Sequence, residues 1–340
     1  MRTRGLYARA GVDFDLAAQT KHLIAESARA TFRPEVLADI GFFGSMFEFK
    51  GYREPVLVSS VDGVGTKLKI AAAMDRHDTV GIDIVSHSVN DIFCCGAAPL
   101  YFLDYIAMGS LNQSAAVDVV KGMVKACKEV NMALVGGETA QMPGMYAESE
   151  YDVVGFITGV VEKSRIIDGS RIKQGDAILG LPSSGLHTNG YSLVRRVFNL
   201  DADPSQLGVL YPELGRSLGE ALLEPHRCYY NVVKPVLGRV KGLAHITGGG
   251  MIDNIPRILP EGLAAHIRRR TWEVPPIFEL IRKKGKVKLA EMYNVFNMGL
   301  GMVMVTAPED ANSLKSSMPG ARIVGEIVSA PDEDELVLIR

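Results

Sequence analysis

The chain has 340 residues, 47% of them hydrophobic and 22% charged, close to the average for globular proteins. This excludes a disordered, collagen-like or disulfide-stapled chain, and the length points to two domains. Lys and Arg number 37 against 39 Asp and Glu, a net charge of -2, so small molecules are expected as ligands, with neither nucleic acid nor an anionic membrane as partner.

In chain order, residues 15–29 read as a polar helix, followed by the glycine-punctuated GFFGSMFEF (41–49); residues 1–50 together are expected to form a mobile cover. VLVSSVD (56–62) and YFLDYIAM (101–108) have strand composition, with helices expected over 67–74 and from Ile84 to Cys95. The stretch 111–130 is the clearest helix, because Val120, Met123, Val124, Cys127 and Val130 recur at helical spacing; Ser114 is the expected cap. Strands follow at 132–138 and 151–161. Apolar periodicity then breaks at 164–176, which divides a domain over 51–168 from one over 169–340.

The second half opens with a strand at 177–182, a polar loop and a helix from about Asn189, then two further helical stretches. It closes with strands at 299–307, 321–327 and 335–340 around a helix at 308–318. Strands and helices mix without strict β-α-β repetition, so both halves are read as α+β. RKKGKVK (282–288) and HIRRR (266–270) read as solvated surface, and the methionines of 298–305 as core filler.

No complete phosphate-cradling G-x-x-x-x-G-K-[ST] loop, G-x-G-x-x-G fingerprint or H-E-x-x-H motif is present, and the single G-x-S-x-G string is GRSLG (215–219). Instead, carboxylates follow strand-like runs beside glycines: Asp62 in SSVDGVGTKLKIA, Asp91 in SVNDIFCCGAAP and Glu138 in LVGGETAQMPGMY. Acidic oxygens where backbone can approach a ligand suit Mg2+, which usually bridges to phosphate; the competing reading is turn chemistry. Lys67 is either a cation for phosphate oxygens or a solvated helix-end lysine.

Two loops of the second half, SSGLHTNGYSLVRR (183–196) and HITGGGMIDNIPR (245–257), place His187 and His245 with small residues before helices. Amide groups at helix starts bind anions, and histidine exchanges protons near neutral pH. The four cysteines, Cys94, Cys95, Cys127 and Cys228, form no C-x-x-C pair. That usage, the absence of a signal-peptide apolar block near the N-terminus and the absence of an apolar run of about 20 residues lead to a cytoplasmic expectation.

These strings resemble the phosphoribosylformylglycinamidine cyclo-ligase (aminoimidazole ribonucleotide synthetase) family nearly end to end. The similarity runs through YARAGVD (7–13), REPVLVSSVDGVGTKLKIA (53–71), residues 77–105, LVGGETAQMPGMY (134–146), the loop at 183–195, HITGGGMIDNIPRILP (243–260 with its lead-in) and VFNMGLGM (295–302). D-x-x-x-x-G-A-x-P, from Asp91 to Pro99, is shared across a wider ATP-using superfamily, whereas GGETAQMPGMY and HITGGGMIDNIPR are narrower. Selenophosphate synthetase, the main alternative, places a reactive Cys near its N-terminus, and no cysteine precedes Cys94 here.

The resemblance implies an ATP-dependent ring closure of formylglycinamidine ribonucleotide in purine biosynthesis. It implies ATP and Mg2+ as cofactors and leaves K+ open. The implied roles are metal for Asp62, Asp91 and Glu138; nucleotide contact for Asp62, Gly63, Gly65, Thr66, Lys67, Asp91, Gly136 and Gly137; substrate contact for Ser184, Gly185, Asn189, Gly248, Gly249 and Gly250; and catalysis for His187, His245 and Lys67. It also implies a homodimer in which the N-terminal sheets of two subunits pair into one barrel, with a C-terminal α+β sandwich domain. Two departures stand out: Ser59-Ser60-Val61 replaces an expected Ser-Gly-Thr, and Gln141 an expected acid.

Overall fold

The computed structural model describes residue 11, residues 13–332 and residues 335–340; most of the YARAGVD string and the start of the expected cover lie outside these. The chain splits into two compact units, one holding residues up to Ile92 with Ala98–Glu162, the other Phe93–Ala97 with Lys163–Arg340.

In the first unit, α1 (Phe14–Arg29) precedes β1 (Pro55–Gly63), α2 (Lys67–Ala73), α3 (Asp78–Cys94), β2 (Ala98–Met108), α4 (Gln113–Glu129), β3 (Ala133–Gln141) and β4 (Tyr151–Glu162). Asp13 caps α1 by accepting the amides of Asp15 and Leu16. α4 is capped by Asn112, which accepts from Ala115 N–H, rather than by Ser114. Ser114 instead donates to Asn112. Within the segment expected to be a mobile cover, α1 buries Thr20, Ala25 and Ala28 and packs on α4 and β3. Thr31 Oγ1 accepts from Leu134 N–H, and Ser45 Oγ donates to Val135 O.

The strand order is β1-β4-β2-β3, antiparallel except for the parallel pair β2/β3. The sheet does not close on itself; β1 and β3 are its edges. Alternation along β1 turns Leu57, Ser59 and Val61 outward, and the register lays Val61 beside Phe156 and Phe156 beside Leu103. Leu57, Val61 and Phe156 are exposed, so this face is an apolar surface on an isolated chain. On the opposite face α3 and α4 meet backbone to backbone. A Cβ on Gly81 would lie 1.9 Å from Val119 O, and one on Gly122 equally near Asp78 O.

The second unit holds β5 (Ala177–Pro182), α5 (Tyr191–Phe198), the short pair β6 (Leu210–Tyr211) and β7 (Arg216–Ser217), α6 (Leu218–Leu222), α7 (Tyr230–Val233), β8 (Val240–His245) and α8 (Gly250–Asn254). It continues with β9 (Leu263–Ile267), α9 (Pro276–Gly285), α10 (Leu289–Val295), β10 (Leu300–Thr306), α11 (Pro308–Ser317), β11 (Arg322–Ser329) and β12 (Val337–Ile339). The six-stranded order is β12-β9-β11-β5-β10-β8, with the wholly buried β10 between β5 and β8. Sequence reading missed β8, β9, α9 and α10. The basic run at 282–288 is in part the last turn of α9, whose Arg282 pairs with Glu279. HIRRR begins as β9, with Ile267 buried.

Asp104 lies buried in β2 against Gly137, where a Cβ would come 2.3 Å from its Oδ1. Burial pushes its carboxyl from the ordinary 3.8 up to about 7; a backbone bond works against this and the Glu138 charge adds to it. The fold therefore holds a proton that the unfolded chain has lost, so stability falls as pH rises from about 4 to about 7. Asp104→Asn removes this dependence. We expect the variant's stability relative to the parent to rise by on the order of 2–4 kcal/mol between about pH 4 and pH 8. Urea unfolding at both pH values checks it, and a constant difference would refute the buried protonated state.

Candidate active site

β1 ends in Asp62 and Gly63, and Gly65 and Thr66 lead the chain into α2. Across from this turn, α3 presents His87 and Asp91 one helical turn apart. His87 Nε2 lies 2.7 Å from Asp62 Oδ2 and 3.4 Å from Asp91 Oδ2. Asp62 also accepts from the Gly63 amide at 2.7 Å. Burial alone would strip the His87 proton, but the bonds to Asp62 and Asp91 outweigh it and push the imidazole up to about 10. Burial likewise pushes the Asp62 carboxyl up, and the His87 bond outweighs that and holds it below its ordinary value. A buried imidazolium thus holds the Asp62 carboxylate in its charged form and stands between it and Asp91, and the two acidic side chains remain 41% and 29% exposed.

Glu138 does not join this pair. Asp62 pairs with Gly155, Gly155 with Asp104 and Asp104 with Gly137, so three strand spacings, about 14 Å, separate Asp62 from the β3 edge that carries Glu138. One Mg2+, with ligand distances of about 2.1 Å, cannot be shared by all three acids within one chain. Glu138 is exposed, with Lys21 3.9 Å away. Gly136 and Gly137 lie on the same edge strand, and Gly137 makes room for the Asp104 carboxyl.

Lys67 matches neither of its expected placements. Its side chain is fully buried, and Nζ lies 2.7 Å from Asp83, itself buried. A buried ammonium needs such a carboxylate, and the pair ties the start of α2 to α3. Gln141, standing where an acid was expected, accepts from Asp13 N–H at 3.1 Å and donates to Asp13 O, so it fastens the start of α1.

In the second unit, β5 and β8 both run antiparallel to β10 and hence parallel to each other, so their ends deliver the two sequence-predicted loops to the same end of the sheet. Ser184 N–H donates to His187 Nε2 at 3.2 Å, and Ser184 Oγ donates to Pro225 O. Asn297 donates to Gly185 O and accepts from Ser183 and from Gly299 N–H, each at 2.9 Å, which pins the first loop. Asn189 Oδ1 lies 3.2 Å from where a Cβ on Gly248 would sit, so the loops touch.

His226, which the sequence reading passed over, joins them. Its Nε2 is 2.9 Å from His245 Nε2, and its ring stacks on His187 at 3.9 Å between centroids. All three histidines are buried. The helix expected after the glycines is the five-residue α8. Gly249 and Gly250 have left-handed backbone, and a Cβ on Gly250 would fall 1.9 Å from Tyr293 O, so internal packing already demands glycine there. Gly248 faces the other loop instead.

His87, which the sequence reading also passed over, could have been found as the residue one turn before Asp91. His226 carried no signal beyond being a histidine, because its partners come from distant parts of the chain.

Among the described residues no helix is long and apolar enough to cross a membrane. The family described as AIR synthase related protein, N-terminal domain, matches residues 51–161, and its C-terminal counterpart matches residues 173–337. The phosphoribosylformylglycinamidine cyclo-ligase of Caldicellulosiruptor bescii is 51% identical over 333 residues, covering 96% of this chain and 98% of the relative. That of Geobacillus thermodenitrificans is 51% identical over 331 residues, 95% of each. Among solved structures, thiamine-monophosphate kinase from Stenotrophomonas maltophilia has a TM-score of 0.67 at 15% identity, covering 93% of this chain and 95% of its own. Hydrogenase maturation protein HypE in complex with ATP has a TM-score of 0.61 at 18% identity, covering 94% and 90%. These two share the fold. With half of all residues identical over nearly the whole of both chains, this chain belongs to the phosphoribosylformylglycinamidine cyclo-ligase family.

Proposed function

We propose that the chain is an ATP-dependent ligase that closes the imidazole ring of formylglycinamidine ribonucleotide to form 5-aminoimidazole ribonucleotide in purine biosynthesis. The observation that carries this reading is the end-to-end identity with relatives of that name. In the reaction the γ-phosphoryl group of ATP passes to the formyl amide oxygen and ADP leaves. An amidine nitrogen then attacks the activated carbon, inorganic phosphate departs, and the nitrogen loses a proton. Positioning and charge neutralisation supply most of such a catalysis.

Asp62 and Asp91 fit a hard divalent ion, being oxygen donors that are partly exposed and gathered around one imidazolium. They are the residues we assign to Mg2+, which would neutralise phosphate charge in transfer. Gly63, Gly65 and Thr66 form the adjoining turn for nucleotide contact. Lys67 acts from behind that turn through Asp83, and K+ is a further candidate ion for the nucleotide. Glu138, Gly136 and Gly137 make a separate patch on the far edge strand. Ser184, Gly185, Asn189 and Gly248 are assigned to the ribonucleotide, with Gly249 and Gly250 shaping that loop, and His187 and His245 to proton handling.

The exposed apolar row on β1 and β4 suits a second copy of this sheet, which would also cover the β1 edge and complete a barrel. A cytoplasmic location accords with four free cysteines.

ADP release that depends on formylglycinamidine ribonucleotide tests the activity; ATP bound without turnover would instead mark a sensor. Asp91→Asn is expected to lower turnover by about 100-fold or more in a chain that still unfolds cooperatively, at a lower midpoint because the His87 imidazolium loses one of its two carboxylates. Near-normal turnover at limiting Mg2+ removes the assigned role. Leu57→Glu, which puts charge on the exposed face, is expected to convert a two-chain particle to a single chain by light scattering. A parent protein that is one chain at all concentrations contradicts the dimer.

A further inference from the structure

Asn297 stands where the chain turns into β10, and its side chain reaches a remote part of the second unit. Its Nδ2 donates to Gly185 O at 2.9 Å, 112 residues away along the chain. Its Oδ1 accepts from Ser183 Oγ and from Gly299 N–H, each at 2.9 Å. The side chain is buried, and these bonds compensate it for leaving water.

The base of this clamp is rigid. Met298 and Gly299 have left-handed backbone, and Trp272 Nε1 donates to Met298 O at 2.9 Å. A Cβ on Gly299 would fall 2.7 Å from Pro275 Cδ. Ser183 N–H donates to Gly299 O and Leu300 N–H to Asn297 O, so the turn is tied to the end of β5 and to β10.

The loop it grips needs such support. His187 has a φ of 61°, a left-handed backbone that a residue other than glycine keeps only when its surroundings impose it. The Ser184 amide, donating to His187 Nε2, closes the loop from within, and Asn297 holds it from outside. A trans peptide is planar, with its C=O and N–H opposed. Tying Gly185 O to Asn297 therefore turns the Leu186 N–H away from Asn297. Among the described residues that N–H has no hydrogen-bond acceptor.

We propose that Asn297 is a positioning residue for the ribonucleotide: by fixing the Gly185–Leu186 peptide, it aims the Leu186 N–H at an acceptor oxygen of that substrate. This rests on the reading in which the loop from Ser184 to Asn189 contacts the ribonucleotide. A donor held in one direction before the ligand arrives loses little freedom on binding, so the clamp adds affinity without touching the substrate. Nucleotide contacts are assigned to the first unit, so ATP binding is independent of it.

The test measures kcat and both KM values for the parent, for Asn297→Ala, which removes all three side-chain bonds, and for Ser183→Ala, which removes one of them. For Asn297→Ala we expect KM for formylglycinamidine ribonucleotide to rise about tenfold and KM for ATP to stay within about twofold. Ser183→Ala, which frees one side of the Asn297 amide, is expected to raise the same KM about threefold, and it carries the test if Asn297→Ala does not fold. A clamp that served stability alone would lower kcat with the folded fraction and leave both KM values in place. That result overturns the proposal, as do equal rises in both. Calorimetric titration of the ribonucleotide into the full chain without ATP reads binding apart from turnover: a Kd about tenfold weaker in Asn297→Ala supports the proposal, and an equal Kd refutes it. A parent chain that neither binds nor turns over the ribonucleotide ends the functional reading and this inference with it. A parent that does both, beside variants of equal affinity, ends this inference alone.

Discussion

A protonated histidine inside a protein must be surrounded by negative charge, and this constraint organises the first unit. His87 is 6% exposed, and its proton stays only because Asp62 and Asp91 converge on it. The bridge joins the end of an edge strand to the middle of α3 and decides where the acids stand. The close approach of Gly81 and Gly122 sets how deeply α3 lies on its neighbour, and Lys67 with Asp83 makes a second buried tie one turn earlier on α3. These contacts leave two carboxylic side chains partly exposed beside one buried positive charge.

The second unit solves a different problem, bringing two remote loops to one place. Parallel strands flanking a common antiparallel partner deliver both loops at one end of the sheet. Side chains then lock them: Asn297 holds the first loop's backbone, and His226 spans from His187 to His245. Rigid placement of this kind would suit the ring closure proposed above, in which a nitrogen must be held against a carbon of the same molecule. The fold is shared with proteins only 15–18% identical, so the scaffold outlasts most of its side chains.

The apolar outer face of the first sheet belongs to the same logic. An edge strand with Leu57 and Val61 facing solvent costs free energy in isolation, and a matching sheet from a second copy would remove both the exposed surface and the open edge.

The sequence by itself determined the α+β class, most strands and helices, the Asp62, Asp91, His187 and His245 loops and the family, because local periodicity and short motifs survive being read along a line. It did not reveal that Lys67 is buried, that Glu138 stands three strands from Asp62, or that the basic runs overlap α9 and β9. Tertiary structure alone decided these, and it alone made His226 a partner of His187 and His245. Burial, strand order and the meeting of residues far apart in the chain depend on which surfaces pack together, a property that no single segment carries.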